Sequence, residues 1–106
     1  MFYISNQFHP GMLASGACAT IREIELETAR SMVAKFIPSV CCVDHIDTGI
    51  AMSVLLKTHV GCDRITINLR SKDMLLFAQP PEPFLLKEAI ELPKEAGFRW
   101  FLMIVG

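Results

Sequence analysis

The chain has 106 residues, of which 52% are apolar and 20% are charged, and its mean hydropathy is +0.40. This length allows one domain, because a second hydrophobic core would need roughly 50 further residues. The composition excludes intrinsically disordered and low-complexity classes. The formal net charge of -1 argues against a protein that binds long DNA or RNA, since such proteins usually carry a basic excess.

The apolar residues also bear on location and assembly. No apolar run reaches the ~18 residues of a membrane span, and the N-terminus lacks the basic region of a signal peptide. The adjacent Cys41 and Cys42 lie inside an apolar run, which predicts reduced, buried thiols for the four cysteines and a cytoplasmic location. A domain this small covers only about 60% of its chain's surface, so we expect a homodimer or higher homo-oligomer and no membrane partner.

The first third of the chain predicts strand, turn, strand and helix. Residues 2–4 form a short buried strand, and a proline starts a single helical turn over residues 9–13. Residues 19–25 favour a strand. Apolar residues at helical spacing over 26–37 then predict an amphipathic helix that ends before Pro38.

The middle of the chain predicts a strand, a turn and a helix. The apolar run at residues 40–43 is typical of a buried strand. Two apolar series with i, i+4 spacing follow it, and they indicate a helix: Ile46, Ile50 and Val54, and Ala51 and Leu55. Ligands of α/β sheets bind just outside the carboxyl ends of strands, so the turn at residues 44–48 is the predicted binding position.

The last third predicts strands and one helix. Residues 65–69 alternate between apolar and polar side chains, as in a half-exposed strand, and residues 74–78 form a buried strand ended by a proline-rich loop. Residues 86–96 favour a helix, although Pro93 interrupts it, and residues 98–105 close the sheet. We therefore predict one domain of class α/β with α+β-like features, spanning residues 1–106, with a mixed, roughly five-stranded sheet flanked by helices.

One spacing pattern resembles a zinc site. Cys42-x-x-His45 and His59-x-x-Cys62 present metal-ligand types at short intervals. The helix predicted between them would separate the two histidines by about 20 Å at ~1.5 Å per residue, so they cannot share one ion. We expect neither a metal nor another cofactor.

His45 is the leading candidate for chemistry. It lies at the first turn of the predicted helix, with Asp44 available as N-cap and Asp47 in an arrangement like a capping box. Free backbone N–H groups at such a terminus attract phosphate, and an imidazole there can donate a proton to a leaving group. The position alone also fits a purely structural turn residue.

Two further features have alternative interpretations. Arg64 begins the alternating segment, where an arginine can hold phosphate with two hydrogen bonds or can simply be solvated and paired with Asp63. The aromatic residues Phe98, Trp100 and Phe101 fit a core or an interface better than a platform for stacking bases.

Three stretches carry a resemblance to a known family. They are residues 3–8 leading to Met12-Leu13, residues 43–48 leading to Leu55-Leu56, and Asp63-Arg64. On these stretches the sequence resembles a family of archaeal-virus and bacterial mobile-element proteins that includes the type III anti-CRISPR ring nucleases, which bind and cleave cyclic tetra-adenylate.

The resemblance has implications for fold and site. It implies a mixed sheet with helices, a ligand lying across a two-fold dimer interface, and His45 as the catalytic acid. It further implies that Asn6, Thr48 and Arg64 bind the ligand.

The sequence departs from the family pattern at two places. Asp44 and Asp47 stand where family members usually have glycine and serine, which adds negative charge at the predicted phosphate position. The family's second catalytic cluster, an arginine and a glutamate, falls on the proline-rich loop, where the arginine is absent and Glu82 alone stands in for the acid.

The resemblance implies an anti-defence protein, acting in the host cytoplasm if it is viral, that captures a cyclic nucleotide signal. It implies cleavage without metal as well, but the missing arginine leaves the catalytic set incomplete, so binding is better supported than cleavage. Two alternatives stay open at this point. One is a non-catalytic sponge that sequesters the signal unchanged, and the other is a protein–protein adaptor that uses the apolar surface.

Overall fold

The computed structural model describes residues 1–36, 40–63, 67–82, 84, 86–91 and 97–106. Within these ranges the chain forms strands, helices and one 3-10 turn at Pro10–Met12. In chain order they are β1 (Phe2–Ser5), β2 (Ala19–Ile24), α1 (Leu26–Lys35), β3 (Val40–Cys41), α2 (Ile46–Leu56), β4 (Met74–Gln79), α3 (Leu86–Glu91) and β5 (Arg99–Val105). No helix among them is long and apolar enough to cross a membrane.

The strands form one mixed sheet in the order β2-β5-β4-β1-β3. β1 runs parallel to both β3 and β4, whereas β5 is antiparallel to β2 and β4. The predicted α/β class and the five-stranded mixed sheet are confirmed. Because of these directions, β1, β2, β3 and β4 end, and β5 begins, at the same end of the sheet, which we call the carboxyl end.

Apolar residues cover both faces of the sheet. On one face, Ile4, Leu76 and Trp100 pack in a buried cluster with Val33 of α1 and Met52 of α2. On the other face, the cluster is formed by side chains of the sheet and of the loops around the 3-10 turn and residues 67–69, including Met12, Leu69, Leu75 and Met103. Strand residues therefore alternate between two cores, as period-two geometry requires.

The two apolar series of α2 have different environments. Ala51 and Leu55 are buried in the core. Ile46, Ile50 and Val54 are 70%, 42% and 37% exposed, and we call these three residues the α2 stripe. The helix prediction is confirmed, but only one of its two apolar series packs inside the domain.

Two strand predictions differ from the structure. β3 covers Val40–Cys41 instead of residues 40–43, because after the hydrogen bond from the Cys42 N–H to the Ile4 carbonyl at 2.7 Å the chain turns towards α2. The strand predicted at 65–69 is wrong for its described part. Ile67 and Leu69 are buried, but the segment pairs through a single bridge, between Leu69 and Leu13. The alternation of apolar and polar residues in this segment therefore reflects burial and not strand pairing.

The ends of two helices adjoin residues outside the described ranges. α1 ends at Lys35, before the predicted stop at Pro38, and α3 ends at Glu91, before Pro93. Both prolines lie outside the described residues.

The cysteines divide between the two faces and the surface. Cys41 packs against the helix-side cluster and Cys42 lies in the opposite one, as expected for successive residues of an extended chain. Burial, together with Cys41 and Asp63, raises the pKa of the Cys42 thiol to about 11. Cys18 and Cys62 are exposed, so the prediction of four buried thiols is wrong for these two. Both lie in loops between the regular elements, where the core does not cover them.

Candidate functional site

Polar side chains converge at the carboxyl end of the sheet. Asn6 and Gln7 follow β1, Asp44 and His45 precede α2, and Gln79 is the last residue of β4. Since β1 is paired with both β3 and β4, neighbouring strands bring these residues within a few strand spacings of about 4.8 Å. The sequence prediction that the turn before α2 lies at a crevice position is consistent with this placement.

Asp44 is the centre of the hydrogen bonding at this end. Its two carboxylate oxygens accept hydrogen bonds from Asn6 Nδ2 at 2.7 Å and from Gln7 Nε2 at 3.1 Å. The Asp44 backbone N–H donates to Asn6 Oδ1 at 3.4 Å. The Asp44 carboxylate is therefore held in position by two amide donors.

His45 is the N-cap residue of α2, and its side chain makes no capping hydrogen bond. Asp44 was predicted as the N-cap, which is wrong, because its carboxylate is turned to Asn6 and Gln7. The His45 side chain is 73% exposed, and its Nε2 lies 3.9 Å from Asp44 Oδ1. An accessible imidazole beside uncapped helix N–H groups is placed to meet an anionic ligand and to donate a proton to it.

The other predicted site residues have different positions. Thr48 lies in the first turn of α2 and is only 5% exposed, so a ligand would reach little of its side chain. Arg64 lies outside the described residues. Glu82 is exposed in the loop after β4. Asp44 thus contacts both Asn6 and His45, whereas Glu82 lines a neighbouring cleft.

Aromatic side chains form a row across the face opposite the helices. The rings of Phe8 and Phe77 are 5.9 Å apart, and those of Phe77 and Phe101 are stacked at 5.2 Å. A pocket of about 360 Å³ lies against this row, and its polar lining comes from Asn6, Gln7 and Gln79. Sequence reasoning missed Phe8 and Phe77, although position 77 alternates with the helix-facing Leu76 and Ala78.

The aromatic residues near the C-terminus do not act as one group. Trp100 is 3% exposed and belongs to the helix-side core, with Phe98 packed against that cluster. Phe101 points to the other face and lines the aromatic pocket. The core interpretation is confirmed for Trp100 and Phe98, and it is incomplete for Phe101, because successive strand residues face opposite sides.

A larger open cleft of about 1000 Å³ adjoins the aromatic pocket and shares Gln79 with it. Glu82 and Arg99 both line this cleft. Arg99 donates hydrogen bonds from Nε and Nη2 to the two carboxylate oxygens of Glu23, at 3.0 and 2.8 Å, and these bonds lower the pKa of Glu23. Sequence reasoning missed Arg99, because nothing near it in the sequence indicates that it lies beside the loop of Glu82.

The spacing that resembles a zinc site is divided by α2. His45 precedes this helix and His59 follows it. In the described part of the chain, no group of three histidine, cysteine, aspartate or glutamate side chains is placed to hold a metal ion.

Comparisons with known proteins support the fold. No protein-family model and no curated protein matches the sequence. The fold has a viral counterpart. It is B116 of Sulfolobus turreted icosahedral virus, with a TM-score of 0.79, 15% sequence identity and 97% of each chain covered. Because so little of the sequence is identical, the likeness to B116 concerns the fold, over nearly the whole length of both chains.

Proposed function

We propose that this chain is a homodimeric anti-defence protein of viral origin that captures a cyclic oligonucleotide signal such as cyclic tetra-adenylate. The observation that carries the proposal is the series of contacts at the carboxyl end of the sheet that links Asn6, which lines the aromatic pocket, through Asp44 to His45. The viral counterpart B116 supports the origin, and the sequence resemblance to ring nucleases supports the ligand class.

The chemistry of this end suits an adenylate. The pocket volume of about 360 Å³ lies within the range of small-ligand sites. An adenine base can stack on the ring of Phe77 or Phe101, while the amides of Asn6 and Gln79 can donate to and accept from its edge. The uncapped N–H groups of α2 provide a position for one phosphate.

Cleavage would need no metal in this arrangement. The ribose 2′-oxygen attacks the adjacent phosphorus, the bond from phosphorus to the 5′-oxygen breaks, and the 2′-hydroxyl proton passes to solvent. His45 in its protonated form donates the proton that the departing 5′-oxygen takes up. The products are linear adenylates that end in a cyclic phosphate. We assign to Arg64 the role of stabilising the negative charge on the phosphorane oxygens.

The α2 stripe supports a two-fold assembly. Its first residue, Ile46, directly follows His45, so a second copy packed on the stripe would bring a second His45 to the same ligand. Ile50 at the centre of the stripe is 42% exposed. An isolated domain gains nothing from exposing three aliphatic side chains in a row, whereas a second copy would bury them.

Light scattering should therefore return twice 11.8 kDa for the wild-type chain at micromolar concentration. Ile50→Glu places a charge in the interface and should give the monomer mass, because an unpaired charge is costly to bury. Ile104→Glu is the matched control, since Ile104 is 43% exposed and lies on β5, away from α2. A monomeric wild type, or dimers of Ile50→Glu, would contradict the assembly.

One observation favours a second candidate, the non-catalytic sponge. Among the described residues, Glu82 lines the larger cleft with Arg99, and His45 does not line that cleft. A sponge would obtain its affinity from enclosure of the ligand between two subunits instead of from contacts made in the transition state.

The test uses a panel of cyclic nucleotides. The protein is mixed with cyclic tetra-adenylate, cyclic hexa-adenylate and cyclic dinucleotides, its unfolding temperature is measured, and the mixture is then separated by chromatography. We expect a rise in unfolding temperature with a cyclic oligoadenylate, since a ligand that binds only the folded state stabilises it. A rise without new products selects the sponge, and no rise with any member of the panel contradicts the proposed function.

A further inference from the structure

Arg99 lies where the two clefts of the carboxyl end meet. It is the first residue of β5 and is paired directly with Gln79 of β4, the residue that both clefts share. β4 lies between β5 and β1 in the sheet, so Arg99 is two strand spacings, about 10 Å, from the end of β1 and Asn6. A ligand as long as one nucleotide step can therefore touch Asn6 and Arg99 together.

The side chain of Arg99 continues the aromatic row. Its guanidinium carbon is 5.2 Å from the ring centroid of Phe101, and Phe101 stacks on Phe77. A base stacked on this row would have its phosphate within reach of the guanidinium. The planar fork of arginine matches a phosphate as well as it matches a carboxylate.

Glu23 occupies that fork in the free protein. The pair makes two hydrogen bonds, yet the side chains are 57% and 50% exposed. Exposed ion pairs contribute little net stability in water. Exchanging the carboxylate for a ligand phosphate would thus cost the fold little, and the guanidinium would keep a charge-assisted contact with an anion.

We propose that Arg99 is a phosphate-binding residue of this site and that Glu23 is the counter-ion it releases when the ligand binds. The inference rests on the proposed function, because it takes the ligand to be a cyclic oligoadenylate. One part of that ligand then lies in the large cleft, where the Arg99 guanidinium binds a phosphate of the ligand. Glu23 then competes with the ligand.

The experiment measures the dissociation constant of cyclic tetra-adenylate for the wild type and four variants. Arg99→Gln should weaken binding roughly 10- to 100-fold, as expected when charged hydrogen bonds to a phosphate are lost. Arg99→Lys should fall between Arg99→Gln and the wild type, because lysine keeps the charge but not the fork. Glu23→Gln should tighten binding, since no carboxylate has to be displaced.

The fourth variant is the matched control. Arg22→Gln removes the same charge from the neighbouring exposed position of β2 and should bind as the wild type does. The inference would be overturned if Arg99→Gln bound as tightly as Arg22→Gln, or if Glu23→Gln weakened binding as Arg99→Gln does. In either case, binding by the wild type would leave the proposed function intact. Failure of the wild type to bind would overturn both. Unfolding midpoints of all variants report whether the fold is preserved.

Discussion

Replacing His45 by alanine should lower the rate of cyclic tetra-adenylate cleavage by about 10²–10⁴ while changing affinity much less. The reason is that a general acid transfers its proton only in the transition state, so its loss spares ground-state binding. The His45 side chain is 73% exposed, and its removal leaves no cavity in the core. The measurement is single-turnover cleavage with saturating protein, followed by chromatography of the linear products.

His59→Ala is the control for this substitution. His59 is also an exposed histidine, and it lies beyond the opposite end of α2. Its replacement should leave both rate and affinity unchanged. Undiminished cleavage in His45→Ala would show that the chemistry belongs to another residue. If the wild type binds without cleaving, the sponge is selected, and His45→Ala should then act on affinity alone, by the ~0.5–3 kcal/mol of one hydrogen bond.

The largest effect on stability is expected in the centre of the sheet. β4 is the middle strand, and its Leu76 is fully buried against the helix-side core. Leu76→Ala should lower the free energy of unfolding by about 2–5 kcal/mol, because it removes buried methyl groups and leaves a cavity. Since small domains have only about 5–15 kcal/mol in total, this variant should unfold at a much lower urea concentration.

Ile104→Ala provides the comparison for Leu76→Ala. Ile104 is 43% exposed on β5, so truncating it should change the free energy of unfolding by no more than about 0.5 kcal/mol. Equal losses in the two variants, measured by urea denaturation at neutral pH, would contradict the burial of β4 between two cores.

Local patterns in the sequence predicted most of the fold. The apolar run before α2, the helical spacing of its residues and the apolar C-terminal strand each reflect a property of a few neighbouring residues. Periodicity also placed His45 at a helix N-terminus. It did not show which apolar series of α2 faces the core, because Ile46 and Ala51 begin series of the same spacing and only packing distinguishes them.

The parts that the sequence did not predict depend on contacts between distant residues. The carboxylate of Asp44 is held by Asn6, 38 positions away, and the N-cap of α2 is His45. Arg99 meets Glu23, 76 positions away. Residues 67–69 show the same limit, since their alternation recorded burial but gave no information on whether a strand partner lies alongside.

The central claim is that two copies of this site enclose one ring of cyclic tetra-adenylate, and calorimetric titration tests it most directly. The wild type and His45→Ala should both bind with a stoichiometry of one ring per two chains, because His45 acts on rate and a two-fold assembly through the α2 stripe would bring both α2 N-termini to one ring. Saturation at one ring per chain would contradict the shared site, and the absence of any saturable binding would contradict the account as a whole.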